Sequence, residues 1–173
     1  MKELYKIARF PLIGLSTIIV LGFLIPEEPV IPARGASFSD WNSQSFWYEP
    51  WGTSGVHKGI DIFGTEKTPI VAATRGIVIY AGKIEKGGKV VVVLGPKWRV
   101  HYYAHLETKG VSTTDLIPAG EVLGSMGNTG NAAGKQPHLH YAILSLVPYP
   151  WRATGETQGW KRMFYLDPDE FLR

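Results

Sequence analysis

All five histidines of this chain fall in three short clusters: His57-Lys58-Gly59-Ile60-Asp61, His101-Tyr102-Tyr103-Ala104-His105 and Pro137-His138-Leu139-His140. The chain has no cysteine, so imidazole and carboxylate are its only strong metal ligands. On a strand, residues i and i+2 project from one face, which points His138 and His140 together. Two imidazoles crowded on one face pack poorly unless a metal, a proton or a substrate uses them. By the same alternation His101, Tyr103 and His105 share a face. Gly59, between His57 and Asp61, lets the backbone bend sharply and bring both side chains inward. A catalytic zinc site takes three protein ligands and keeps a fourth position for water. His57, Asp61 and one histidine of the His-x-His pair meet that requirement. A metal so held lowers the pKa of its water to about 7 and polarises a scissile carbonyl. A neighbouring neutral histidine then takes the proton and returns it to the leaving amine. No motif needs His101, which reads as an ordinary hydrogen-bonded histidine.

These side chains need a scaffold of short strands. From Gly59 onward the sequence alternates β-rich runs with glycine, and the runs 60–63, 76–81, 89–94, 98–106, 121–124 and 139–144 are the expected strands. Val90-Val91-Val92-Val93-Leu94 is continuous and β-branched, as expected of a central strand buried on both faces. Gly82 and Gly87-Gly88 sit where hairpin turns are expected. Helical periodicity is absent until the last residues, where Asp167-Pro168-Asp169-Glu170-Phe171 reads as the capped start of a short helix with proline at its first position. The expected class is all-β or β-dominated, with an N-terminal hydrophobic helix and a short C-terminal one.

The first 26 residues read as an export signal. Lys2, Lys6 and Arg9 precede an uncharged run from Phe10 to Ile25, which the Pro26-Glu27-Glu28-Pro29 cluster ends. Sixteen helical residues span about 24 Å, short of a ~30 Å hydrocarbon core, although Lys6 and Arg9 can snorkel and lengthen the span. A small-x-small cleavage site exists at Ala33-Arg34-Gly35, well past the run. The segment is therefore expected to be an uncleaved anchor or a signal peptide, with everything after it exported and facing the periplasm or the exterior. Residues 27–45 are expected to be a linker and 46–173 one domain. The aromatic stretch Phe46 to Trp51 either packs on a core or lines a groove. The net charge of +3 is mild, and no basic stripe with interleaved aromatics suggests nucleic acid.

Taken together, His57-Lys58-Gly59-Ile60-Asp61-Ile62, the strand pair around Gly76 to Leu94, Tyr103-Ala104-His105-Leu106, Gly127-Asn128-Thr129-Gly130 and Pro137-His138-Leu139-His140 resemble the lysostaphin/LytM family of zinc metallopeptidases. The resemblance runs over residues 55–144, with the motifs in the family's order and spacing. It implies an antiparallel β domain with a long open groove and one zinc at its floor. It implies His57, Asp61 and His140 as zinc ligands, with His138 and His105 as catalytic histidines that activate water and stabilise the oxyanion. It implies contacts to an extended peptide from Tyr103, Asn128 and Gly130, the last two in a glycine-rich wall. The implied substrate is the stem peptide of bacterial peptidoglycan. Some family members have lost ligands and only activate other wall hydrolases, which is the alternative. A biotinyl- or lipoyl-like carrier has no use for clustered histidines, and a cytoplasmic hydrolase conflicts with the leader.

Overall fold

The computed structural model describes the backbone from Lys2 to Arg173 and the side chains from Ile13 onward. Lys2, Lys6 and Arg9, the positive start of the leader, lie outside the described side chains. The chain opens with helix α1 (Lys2–Leu24) and closes with helix α2 (Pro168–Leu172). Between them lie nine strands: β1 (Ile60–Phe63), β2 (Pro69–Val71), β3 (Gly76–Ile84), β4 (Gly88–Leu94), β5 (Arg99–Lys109), β6 (Leu116–Ile117), β7 (Val122–Met126), β8 (His138–Ser145) and β9 (Tyr165–Leu166). All pair antiparallel, in the order β1-β8-β5-β4-β3-β6, with β7 joining β2 to β5 and β9 added to β8. The sheet does not close on itself.

The valine run builds β4, the strand between β5 and β3, and Val90, Val91 and Val93 are fully buried. Val92 is only half-buried, so one face of β4 is less covered than a continuous apolar run predicts. Gly82 lies inside β3, opposite Val90, and the hairpin turns instead at Glu85 to Gly87. The short strands β2, β6 and β9 have only two or three residues each, too few for a period to show in sequence. The core collects Ile60, Ile62, Ile70, Val91, Tyr103, Leu123, Met126 and Tyr141 on one side of the sheet. Helix α2 begins as expected: the Asp167 side chain accepts from the Asp169 backbone N–H, and Pro168 occupies the first turn.

The segment expected to be a linker lies along the domain. Val30 N–H donates to Ala73, Val71 N–H to Pro32, and Arg34 N–H to Pro69. Ala33 and Trp41 are buried, and the Trp41 indole donates to Asp169 at 2.8 Å. This arm acts as an extra edge whose apolar residues cover the end of the core, which proline spacing alone does not reveal.

The C-terminal part of α1 is tied to the domain at two points. The Trp98 indole N–H donates to the Ile19 carbonyl at 2.9 Å, and Glu27 takes Arg99 at 2.6 Å and Lys97 at 3.1 Å. Ile13, Leu15, Ile18, Val20, Leu21 and Leu24 remain exposed on the helix. Among the described residues no helix is long and apolar enough to cross a membrane.

His101 sits in the core. Its Nδ1 meets the Tyr141 hydroxyl at 2.7 Å, and Phe171 packs against its ring. Burial, reinforced by nearby Arg99, pushes its pKa down to about 3. Between pH 6.5 and 3 the unfolded chain therefore takes up a proton at this ring that the folded chain refuses, and stability falls as pH falls through that window. In chelator, the melting temperature of His101→Gln is expected to vary less between pH 6.5 and 3 than that of the parent; an equal slope would exclude this role. Glu27→Gln leaves the largely buried Arg99 without its carboxylate, and the expected loss is about 3 kcal/mol in urea unfolding.

Candidate functional site

The first functional side chain is positioned by a small hairpin. Trp47 N–H donates to the His57 carbonyl, and His57 N–H donates to the Tyr48 carbonyl at 2.9 Å. The imidazole is fixed at both ends. Its Nδ1–H donates to the Ser45 carbonyl at 3.1 Å, which leaves the Nε2 lone pair for another partner. Trp51 stacks on the ring, with centroids 4.0 Å apart and planes at 24°. Two residues on, Gly59 crosses β8 so closely that a Cβ would collide with the Tyr141 carbonyl. Only glycine fits there, and the crossing delivers the chain into β1.

On β1, Asp61 lies directly across from His140 of β8. His138 stands two residues earlier on the same face of β8, opposite Phe63. Asp61 Oδ1 lies 2.8 Å from His140 Nδ1 and 3.2 Å from His57 Nε2, and the two ring nitrogens are 3.1 Å apart. These three residues form a group able to hold a metal ion. Burial raises the Asp61 pKa, but hydrogen bonds from His140 and His57 outweigh it and hold the carboxyl well below the usual carboxylate range. Two imidazole nitrogens and a carboxylate oxygen converge on one point, and a single shared proton cannot satisfy all three. Ligand atoms around tetrahedral zinc, with bonds of about 2.1 Å, stand about 3.4 Å apart, so a small outward movement of this trio admits the ion. The donor set and spacing fit zinc.

His105 reaches the same space by a different route. Strict alternation along β5 would place it with His101 and Tyr103, and that expectation fails. An extra residue enters β5 where Lys89 pairs with Leu106 while Val91 pairs with Tyr103. His105 takes up the distortion at a φ of +65°. Its ring therefore joins Tyr102 and Ala104 on the cleft side, 5.0 Å from His138 and 6.0 Å from His140 between centroids. The His105 Nδ1–H donates to the Thr129 carbonyl at 2.8 Å, and the His138 Nδ1–H to the Gln136 carbonyl at 2.8 Å. Both rings are thus locked in the tautomer that offers Nε2 as a proton acceptor. Burial, and then His140, push the His105 pKa down to about 4, so the ring is neutral near pH 7.

The cleft over these groups has a volume of about 690 Å³. Its walls are the Trp51–Ser54 loop, the Lys86-Gly87 turn and the segment with Asn131, Ala132 and Lys135, with Tyr165 at one end. One sequence expectation needs correction, and two further residues gain structural partners. Tyr103 is fully buried and its hydroxyl accepts from the Ala73 N–H, so it supports the core; Tyr102, its neighbour, lines the cleft. Asn128 donates to the Lys135 carbonyl at 3.1 Å, and Gly130 packs so tightly on Lys86 and Gly88 that a Cβ would clash. Both are part-exposed in the loop that carries the wall. Lys86 and Lys135 are not among the site residues read from the sequence. The aromatic stretch hinted at Trp51, whereas nothing local marks the lysines.

The profile of Peptidase family M23 matches residues 55–148. The chain is 31% identical over 144 residues to the L-Ala–D-Glu endopeptidase of Bacillus subtilis, covering 73% of this chain and 43% of that protein. It is 32% identical over 105 residues to the murein hydrolase activator NlpD of Escherichia coli, covering 60% of this chain and 27% of that one. The chain thus spans less than half the length of either curated relative. In structure it is similar to the catalytic domain of lysostaphin from Staphylococcus simulans, with a TM-score of 0.56 and 27% identity, covering 71% of this chain and 84% of that domain.

The expected metal behaviour is direct. The purified chain takes up one equivalent of zinc by elemental analysis, and His57→Ala, Asp61→Ala and His140→Ala each lose it. His101→Gln keeps it. Retention of zinc by all three ligand variants would exclude this trio.

Proposed function

The chain belongs to peptidase family M23, and on that basis we propose that it is a zinc endopeptidase that hydrolyses peptide cross-links of bacterial peptidoglycan. Among the relatives are an L-Ala–D-Glu endopeptidase and a peptidoglycan DD-endopeptidase, and a zinc-containing peptidase from Vibrio cholerae shares the fold. The observation that carries the reading is the convergence of a complete His/Asp/His donor trio with two further histidines, each held by a backbone carbonyl so that Nε2 is its free base.

In this reading His57, Asp61 and His140 hold the metal, His57 through Nε2 and His140 through Nδ1. When bound, zinc supplies Lewis acidity, drawing charge from the scissile carbonyl and acidifying water to a pKa of about 7. The remaining work belongs to side chains. One of the two free histidines accepts the proton of the attacking water at Nε2 and passes it to the leaving amine; the other, once protonated, donates to the developing oxyanion. His138 and His105 share these two roles. The Thr129 and Gln136 carbonyls fix both rings before substrate arrives, which removes the reorientation cost from the reaction step. The open cleft admits an extended peptide.

The leader's charge pattern and the apolar surface of α1 support an exported, membrane-anchored enzyme working on the outer side of the inner membrane. Similarity to a murein hydrolase activator supplies a second reading, a wall-binding regulator without catalysis. The intact donor trio favours the enzyme.

The full chain in detergent micelles is expected to release monomeric peptides from cross-linked peptidoglycan, read by mass spectrometry. Chelator should stop the reaction and zinc restore it. His138→Ala should bind zinc normally and lose activity by about 10²–10⁴-fold. Zinc bound with no cleavage of any wall type would leave the regulator.

A further inference from the structure

Three ammonium groups surround the cleft. Lys58 follows His57 on the floor, with Nζ 3.1 Å from the Ser54 carbonyl. Lys86 stands on the turn between β3 and β4, with Nζ 2.8 Å from the Thr53 hydroxyl. Lys135 is exposed on the segment that bonds to the Lys86 turn through the Asn131 N–H. The only carboxylate lining the cleft is Asp61, already committed to His57 and His140. Among the described residues none of the three lysines has a carboxylate partner, whereas Lys89 pairs with Glu107 and Lys97 with Glu27. The cations therefore gather around the cleft, where no carboxylate pairs with them.

An uncharged peptide gains nothing from such a cleft, and like charges facing each other across it cost stability. A peptide with carboxylates flanking the scissile bond relieves that repulsion and is drawn in. We propose that Lys86 and Lys135, assisted by Lys58, form an anionic subsite that selects acidic stem peptides over neutral glycine bridges. This deepens the proposed function and rests on it.

The test uses two cross-linked wall peptides of identical sequence, one with free carboxylates and one with the same carboxylates amidated. Binding to the zinc-free His140→Ala chain is read by calorimetry, and cleavage by the zinc-loaded parent as kcat and KM. The acidic peptide is expected to bind about tenfold more tightly at low salt, the summed effect of two or three partly screened ion pairs. Most of that preference should disappear in about 0.5 M salt and in Lys86→Gln/Lys135→Gln, through KM rather than kcat. Lys86→Arg/Lys135→Arg should restore it. Equal binding of the two peptides, faster cutting of a glycine bridge, or a preference that survives the double glutamine variant would each overturn the subsite. A retained binding preference without any cleavage would instead sink the endopeptidase reading and leave the subsite standing.

Discussion

The antiparallel pairing of Asp61 with His140 is the contact on which the rest of the site depends. Cross-strand neighbours stand close enough for direct side-chain contact, and here that contact is a carboxylate against an imidazole at 2.8 Å. The pair also fixes register. A slip of one residue between β1 and β8 would turn Asp61 away and bury the wrong face of both strands. Ile60, Ile62, Leu139 and Tyr141, all fully buried on the other side, oppose such a slip. Core packing on one face of the two strands thus holds the polar geometry on the other.

The remaining groups reach this pair through departures from regular structure. His57 comes from a hairpin and a glycine crossing, and His105 from a β-bulge with a left-handed residue. Bulges redirect side chains locally while leaving the ladder on either side intact. Thr129 links these features: its hydroxyl accepts from Lys89 N–H and donates to the Leu106 carbonyl, and its own carbonyl holds His105. The glycine-rich wall therefore orients a cleft histidine as well as bordering the cleft.

At the other end of the chain, α1 is coupled to the same sheet. Glu27, Lys97, Arg99 and Trp98 connect the helix end to the start of β5, the strand that later carries Tyr102 and His105. The exposed apolar surface of α1 and the polar cleft thus belong to one connected scaffold. The arm from residue 30 to 41 strengthens the connection by bonding along β2 and by capping the core with Trp41.

The sequence alone determined the donor chemistry, the β-dominated class and the main strands. Those rest on residue type, period and glycine placement, which are local. It also paired His138 with His140, because alternation on a straight strand is a local rule. It failed for His105 and Tyr103, where the bulge shifts the face by one residue, and no local signal announces an extra residue opposite a partner strand. It treated residues 27–45 as a linker, because whether an arm lies down on a sheet depends on an edge formed by residues 69–73. The tertiary structure alone brought Lys58, Lys86 and Lys135 around one cleft. Their separations along the chain are long, and only the folding of the sheet and the placement of its loops decide which charges meet.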